Sequence, residues 1–476
     1  MKVEVTQSPP LETMVDLLVV GLYEGDPEPT AYGTVWGIEK VKAGFKKLTL
    51  LHPDDPQWLL AVGLGDRAEI DPERLRVAAA LAAKEAARLE AASIAWTLPE
   101  GLDAEVAADA LVTGTVLASY RFDRFKSGDN EDSARLESLT LLAPAETADA
   151  AERACIAAEA QNRARDLQST PANFATPADL AERAEEIAAG SDALSVEILG
   201  RAELEAKGMG GLLAVSQGGP QEPKLIVLRY AGGGSGPTLG FVGKGVTFDT
   251  GGISLKPGAG MQEMKMDMSG AAAVLEAVAA IAELSLPLDL LAVVPSTENM
   301  PSGSAIKPGD VITQYNGTTV EVNNTDAEGR LILADALAYA VEQGADRIVD
   351  LATLTGAVVI ALGSTYAAVI ANDDELADEV VRAGEETGEL TWRLPLHPEF
   401  KELMKGTVAD LSNLAKARKA GTITAGSFLE EFVGETPWAH VDIAGTAWDV
   451  GREYTGKDAS GFGVRLLIEL ARHHAS

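Results

Sequence analysis

The chain has 476 residues, a formal net charge of −33 at pH 7 and a sequence pI near 4.5. That length exceeds what one hydrophobic core organises, so two domains are expected. The acidic balance repels phosphate backbones and anionic membranes, which argues against nucleic acid as a partner and biases the surface toward cations and peptide ammonium groups.

The opening residues, MKVEVTQSPPLETMVD, lack the apolar run of a signal peptide. No stretch of about 18 uncharged apolar residues offers a membrane span, so a cytoplasmic protein is expected. Thr13–Leu22, Lys47–Leu51 and Trp58–Leu64 read as strands, being short, apolar and bounded by Gly, Pro or Asp. Asp71–Leu89 reads as a helix, with Asp71-Pro72 as its start signal. Ser93–Leu98 is a further strand, Ala104–Leu111 a helix, Tyr120–Asp132 an exposed polar loop, and Leu136–Leu142 a closing strand. No chemical constellation occurs in residues 1–145, so an N-terminal α/β domain with a structural role is expected.

Residues 146–166 form an Ala/Glu/Arg-rich linker helix that leads into Pro171 and Pro177. It carries Cys155, the only cysteine, so no intramolecular disulfide can form. An inert packed thiol is the better reading of that residue.

Residues 167–476 alternate apolar runs with helix-forming stretches. Lys224–Tyr230, Thr238–Val242, Asp289–Val294, Arg347–Leu351 and Ala367–Ala371 read as buried strands, with helices at Ala271–Leu284 and Leu331–Glu342. Strands without polar alternation, separated by helices, imply an α/β domain with a mostly parallel sheet covered by helices. Ligands of such sheets sit beyond the carboxyl ends of the strands.

Several motifs fail. In GFVGKGV, Thr238 stands where a phosphate loop needs its first glycine, and Gly245 replaces the magnesium-binding hydroxyl. AGGGSGPTLG lacks dinucleotide spacing, and a flexible turn is its better reading. The histidines are His52, His397, His440, His473 and His474, and no HExxH occurs, which excludes a histidine-ligated zinc protease. His440 reads as a satisfied core histidine. A G-x-S-x-G elbow is absent as well.

One stretch carries charges in apolar, Gly-rich sequence, where burial is costly unless they pair or hold a metal. Lys244, Asp249 and Lys256 share what reads as a glycine-rich loop, GKGVTFDTGGISLKPG. Asp267 in MKMDMSG precedes a helix whose expected cap is Ser269. Asp326, Glu328 and Arg330 in NTDAEGR are spaced by two, which in extended backbone turns all three to one side. A strand-end ion pair of Arg330 with Asp326 or Glu328 is the plain alternative. Met264, Met266 and Met268 fit core by pattern alone. Four carboxylates, Asp249, Asp267, Asp326 and Glu328, balance two divalent cations, beside which a lysine could coordinate as a neutral amine. Paired cations typically activate a bridging water and polarise a carbonyl or phosphoryl oxygen.

NTDAEGRL, GKGVTFDTGG, MKMDMSGAA, RDLQSTPANFATP and WAHVDIAGTAW resemble the leucyl aminopeptidase (cytosol aminopeptidase) family over roughly residues 163–465. The resemblance implies a two-metal enzyme that hydrolyses N-terminal residues, leucine and other apolar ones preferred, from peptides with a free amino terminus. It implies that Asp249 and Glu328 contact both metals, Asp326 completes the exchangeable site, and Lys244 with Asp267 the tighter one. Mn²⁺ or Zn²⁺, or else Co²⁺ or Mg²⁺, would occupy them. Lys256 would hydrogen-bond the oxyanion and Arg330 would hold bicarbonate as general base. Met264, Thr353, Leu354 and Gly356 would line the first side-chain pocket. A homohexamer, with the N-terminal domain serving assembly, is also implied. Ser460, where many members carry threonine, is the one visible departure. A two-metal phosphoesterase and a non-catalytic or DNA-binding scaffold are the rival readings. The charge disfavours DNA, and the intact ligand set disfavours an idle site.

Overall fold

The computed structural model describes residues 1–26, 41–51, 58–127, 135–417 and 419–475. They fall into two compact units: Met1–Asn162 with Gly451–Gly456, and Arg163–Val450 with Lys457–Ser476. The division lies inside the helix Ala148–Ser169. His52 and the end of the expected 120–132 loop lie outside the described residues.

The first unit is built on strands β1 (Lys2–Thr6), β2 (Leu17–Tyr23), β3 (Leu48–Leu51), β4 (Trp58–Gly65), β5 (Ser93–Thr97) and β6 (Ser138–Leu142). They form a sheet in the order β1-β6-β5-β2-β4-β3, parallel except where β3 meets β4. β1 was not expected: its Lys2-Val3-Glu4-Val5 alternation is a strand signal, but the run is short and its partner β6 is remote in sequence. The helix Pro72–Arg88 starts where Asp71-Pro72 predicts, with the Asp71 side chain accepting from Arg74 N. Such a cap contributes about 1 kcal/mol. The next helix runs on to Ala118, past the expected end at Leu111, although β-branched residues and Gly114 lower its propensity. Packing overrides propensity there: a Cβ at Gly114 would lie 2.3 Å from Arg76 O on the neighbouring helix. Trp96 is fully buried at the centre of this core, and Cys155 is half-buried at its edge.

The second unit contains β7 (Leu194–Leu199), β8 (Lys224–Ala231), β9 (Leu239–Gly243), β10 (Gly245–Asp249), β11 (Asp289–Asn299), β12 (Asp310–Thr313), β13 (Thr319–Val322), β14 (Arg347–Ala352), β15 (Ala367–Ala371), β16 (Thr391–Arg393), β17 (Leu411–Ser412) and β18 (Trp438–Asp442). The main sheet runs β16-β15-β18-β14-β9-β11-β8-β7, with β10 also paired to β11, and β12-β13-β17 form a small second sheet. In the main sheet β9, β10, β11, β14 and β18 pair in parallel. The β7–β8, β8–β11 and β15–β18 pairs are antiparallel. The fold is the expected mixed α/β arrangement with a mostly parallel sheet. One face packs Val242, Ile348, Ile370 and Trp438 against Leu331, Ile332 and Leu337 of the helix Gly329–Glu342. Each such side chain contributes about 1.5–3 kcal/mol on burial.

Three local expectations are corrected. Residues 245–249 are a strand beside β11 and not part of a loop, and β11 continues five residues past Val294 to pair with them. The helix after Asp267 begins at Ser269 itself; Met268 is its N-cap residue and no side chain caps it. Ser269 Oγ instead donates back to Met266 O.

Candidate metal centre

Lys244 is the single residue between β9 and β10. Its N–H donates to Leu351 O of β14 and its carbonyl accepts from Ala271 N, which anchors the backbone. The buried ammonium Nζ donates to Asp267 Oδ1 at 2.8 Å and Thr353 O at 2.9 Å, and lies 2.9 Å from Glu328 Oε1. The lysine stem lies against Gly329, where a Cβ would meet Cε at 2.7 Å. A larger residue there would displace the Lys244 side chain from its partners.

Asp249 ends β10 opposite Asn299, the last residue of β11. Its Oδ1 accepts from Asn299 Nδ2 and Gly251 N, each at 2.8 Å. Lys256 Nζ bridges Asp249 Oδ2 at 2.8 Å and Asp326 Oδ1 at 2.5 Å. Gly251 has φ +84°, and a Cβ on it would strike Asp326 Oδ1.

Asp267 lies in the 3₁₀ helix Met261–Met268. Its Oδ1 also accepts from Thr353 Oγ1 at 2.7 Å. Asp326 sits in a turn, Glu328 is the N-cap of the helix Gly329–Glu342, and Arg330 is in its first turn. The 326–330 segment is therefore a turn entering a helix and not extended backbone. The spacing of two suits either geometry, and the helix wins because Leu331–Leu337 continue a buried apolar run.

Carboxylate oxygens of Asp249, Asp326 and Glu328 lie within 4.8 Å of one another. Four acids surround two lysines, so negative charge is in excess in a buried space. Burial, and then neighbouring Glu328, push Asp249 up from the ordinary aspartate range, with the two lysines offsetting only part. Burial would lower both lysines, but the carboxylates around them outweigh it and hold both ammonium groups above their ordinary value. Asp267 Oδ2 and Glu328 Oε2 are buried with no hydrogen-bond partner. Unpartnered anionic oxygens in a water-poor space are costly, and divalent cations answer that cost. The carboxylate oxygens fit hard or borderline divalent ions, and Lys244 could add an amine nitrogen only once a bound cation displaces its proton.

Arg330 is buried, and its guanidinium makes no hydrogen bond or ion pair among the described residues. The strand-end ion pair with Asp326 or Glu328 is thus not formed. Burial lowers the group to about 10, with Glu328 and Asp442 offsetting part of that effect. An unpaired buried guanidinium is a ready anion site.

Thr353, Leu354 and Gly356 follow β14, and Met264 is half-buried on the 3₁₀ helix. Met268 is core, as its pattern implied. The sequence reading missed Asn299 and Asp442, whose places depend on strand order and which carry no local signal. His440 is a buried core histidine on Asp350, with Nδ1 2.6 Å from Oδ1, but its Nε2 has no partner and so it is only half satisfied.

Among the described residues no helix is long and apolar enough to cross a membrane. Residues 162–468 match the model of the cytosol aminopeptidase family catalytic domain, and residues 41–129 that of its N-terminal domain. A probable cytosol aminopeptidase of Roseiflexus castenholzii is 46% identical, with 99% of each chain covered. One from a Geobacter species is 47% identical over 99% of this chain and all of that one. Among solved structures, the bottromycin maturation enzyme BotP in complex with Mn superposes with TM-score 0.89 at 35% identity, covering 97% of this chain and 100% of that one. A mutant of tomato leucine aminopeptidase gives 0.89 at 34% identity, covering 99% and 96%. The chain belongs to the cytosol aminopeptidase family, metal-dependent hydrolases that remove residues from the amino termini of peptides.

Proposed function

We propose that Lys244, Asp249, Asp267, Asp326 and Glu328 hold two divalent cations, and that the enzyme removes leucine and other apolar residues from peptide amino termini. The observation that carries this is the excess of buried carboxylate, with unpartnered oxygens on Asp267 and Glu328. Asp249 and Glu328 would be shared by both ions, Asp326 would belong to the exchangeable one, and Lys244 with Asp267 to the tighter one. Manganese or zinc suits this set, and the manganese named for BotP supports the former. When bound, such ions supply Lewis acidity toward the scissile carbonyl and lower the pKa of the attacking water.

The protein's own groups do the rest. Lys256, one-quarter exposed at the rim between Asp249 and Asp326, donates from Nζ to the oxygen that becomes anionic as the carbonyl turns tetrahedral. Arg330 would hold bicarbonate through its buried guanidinium, and such an anion would supply a general base beside the cluster. Met264, Thr353, Leu354 and Gly356 bound the pocket for the first side chain. Free peptide amino termini suit the carboxylate-rich site, and acetylation removes that charge. The resemblance further supports a cytoplasmic homohexamer, assembled in part through the first unit.

A panel of aminoacyl para-nitroanilides, assayed after chelation and reloading with Mn²⁺, Zn²⁺, Co²⁺ or Mg²⁺, tests the reading. Leucyl and other apolar substrates should be cleaved only by reloaded enzyme, and their N-acetylated forms not at all. Full cleavage by metal-free protein, or equal cleavage of acetylated substrates, would overturn it.

A further inference from the structure

The loop Thr353–Gly356 is held from two sides. Thr353 faces the charged cluster, with Oγ1 on Asp267 and its carbonyl on Lys244. The next two residues are held by Asp442, the last residue of β18, which is fully buried and stands in register with Ala352 of β14. Asp442 Oδ1 accepts from Leu354 N at 3.1 Å and Thr355 N at 3.4 Å, and from Ala444 N at 3.2 Å. Its Oδ2 accepts from Thr355 Oγ1 at 2.6 Å. Thr355 Oγ1 also lies 2.9 Å from Thr422 Oγ1 on the helix Gly421–Glu430.

One carboxylate therefore joins the segments that leave two adjacent parallel strands at their carboxyl ends, the side on which such sheets bind ligands. Hydrogen bonds to a carboxylate are stronger than neutral ones, and of the four on Asp442 the one from Thr355 Oγ1 is short. Burying a carboxylate without a cation in contact is costly, so this position carries more constraint than an ordinary turn requires. Displacing a pocket wall by about 1 Å can cost on the order of a hundredfold in rate.

We propose that Asp442 is a positioning residue for specificity: by fixing Leu354, Thr355 and Ala444 together it sets the width of the pocket for the substrate's first side chain. This rests on the aminopeptidase reading above. Asp442 touches no substrate in this role; it acts through the loop. A change at Asp442 should therefore alter discrimination between first residues more than it alters turnover of a substrate with no side chain to place.

The test compares kcat/KM for leucyl-, phenylalanyl-, alanyl- and glycyl-para-nitroanilide, with bound manganese measured on each protein. Asp442→Ala should lower the leucyl-to-glycyl ratio about tenfold or more, the size a mis-sized apolar pocket gives, with metal content unchanged. Asp442→Asn keeps an amide oxygen for the three N–H groups and turns its NH₂ to the Thr355 hydroxyl, so the ratio should stay within about twofold of wild type. Thr355→Val removes the hydroxyl that bonds Asp442, meets Thr422 and accepts from Val358 N, but leaves the three N–H bonds to Asp442 in place, so it should lower the ratio by less than Asp442→Ala. An unchanged ratio in Asp442→Ala overturns the proposal, as does an equal loss on all four substrates accompanied by metal loss. A shift in Asp442→Asn as large as in Asp442→Ala would assign the effect to charge and also overturn it. If Asp442→Ala does not fold, Thr355→Val decides alone, and an unchanged ratio there overturns the proposal. A metal-loaded wild type inactive on the whole series overturns the functional reading and this proposal with it. An active wild type whose preference survives the variants overturns the proposal alone.

Discussion

Asn299 Nδ2 donates to Asp249 Oδ1 at 2.8 Å, from the end of one parallel strand to the end of its neighbour. The same amide also donates to Thr325 O, next to Asp326, so one side chain orients two carboxylate-bearing segments. Removing an outer partner of a ligating carboxylate typically costs 10–100-fold in metal affinity. Asn299→Ala should therefore bind Mn²⁺ about 10–100-fold more weakly, read by titration with a metal indicator, while its far-UV circular dichroism stays unchanged. Affinity equal to wild type would show that Asp249 is held without Asn299.

Metal removal should also lower stability. Ions that bind the folded chain alone stabilise it by mass action, by about 2.7 kcal/mol at a hundredfold excess over Kd. The melting temperature should rise with each increment of Mn²⁺, and this rise should shrink in Asp249→Ala and Glu328→Ala. Asp326→Ala should regain activity with excess metal if, as proposed, Asp326 belongs to the exchangeable ion alone. A melting temperature indifferent to Mn²⁺ would remove the metal from the folded state.

The charged cluster was legible in the sequence because Lys244, Asp249 and Glu328 stand among small or apolar residues, where an isolated charge needs a reason, with Asp267 and Asp326 close by in the same stretch. The strands were legible for a similar cause: short, largely apolar runs such as IVDLA in Arg347–Ala352 admit little else. Local pattern could not supply neighbours. Asp442 meets Thr355, and Asn299 meets Asp249, only because β18 lies beside β14 and β10 beside β11. Nor could it separate a strand from a turn entering a helix at 326–330, since the spacing of two serves both. β1 carried the alternation of a strand in Lys2-Val3-Glu4-Val5, but it has only five residues and its pairing with β6 is non-local.

Lys256 and Arg330 should differ in kinetics. If Lys256 has the proposed role of donor to charge developing in the transition state, Lys256→Ala should lower kcat about 10²–10³-fold with little change in KM. Arg330→Ala should keep its metals and lose rate, and wild-type rate should rise with bicarbonate after thorough degassing. Loss of metal in Arg330→Ala, with no bicarbonate response in wild type, would make Arg330 a structural cation.

The pair Asp350–His440 should give the protein a pH-dependent stability. His440 is fully buried, with Nδ1 2.6 Å from Asp350 Oδ1, while Trp438 Nε1 donates to Asp350 Oδ2 at 2.7 Å. Burial lowers the imidazolium, but the charge of Asp350 and its hydrogen bond outweigh burial and raise the group above the ordinary 6.5, with Asp442 adding and Arg330 opposing. A base with a raised folded pKa binds its proton more tightly when folded. Its contribution is therefore complete below about 6.5, the unfolded value, and is lost as pH rises through the folded value. Urea midpoints of metal-free wild type should fall on going from pH 6.5 into the alkaline range. Asp350→Asn removes the charge that holds the proton, so His440 becomes neutral and this slope should flatten. The variant should also be less stable than wild type at pH 6, where the proton on His440 stabilises the wild type most. Because the stabilisation being compared vanishes at high pH, the gap between the two proteins should narrow as pH rises. Parallel pH profiles for wild type and Asp350→Asn would show that His440 is neutral throughout, and that the pair is an uncharged hydrogen bond in the core.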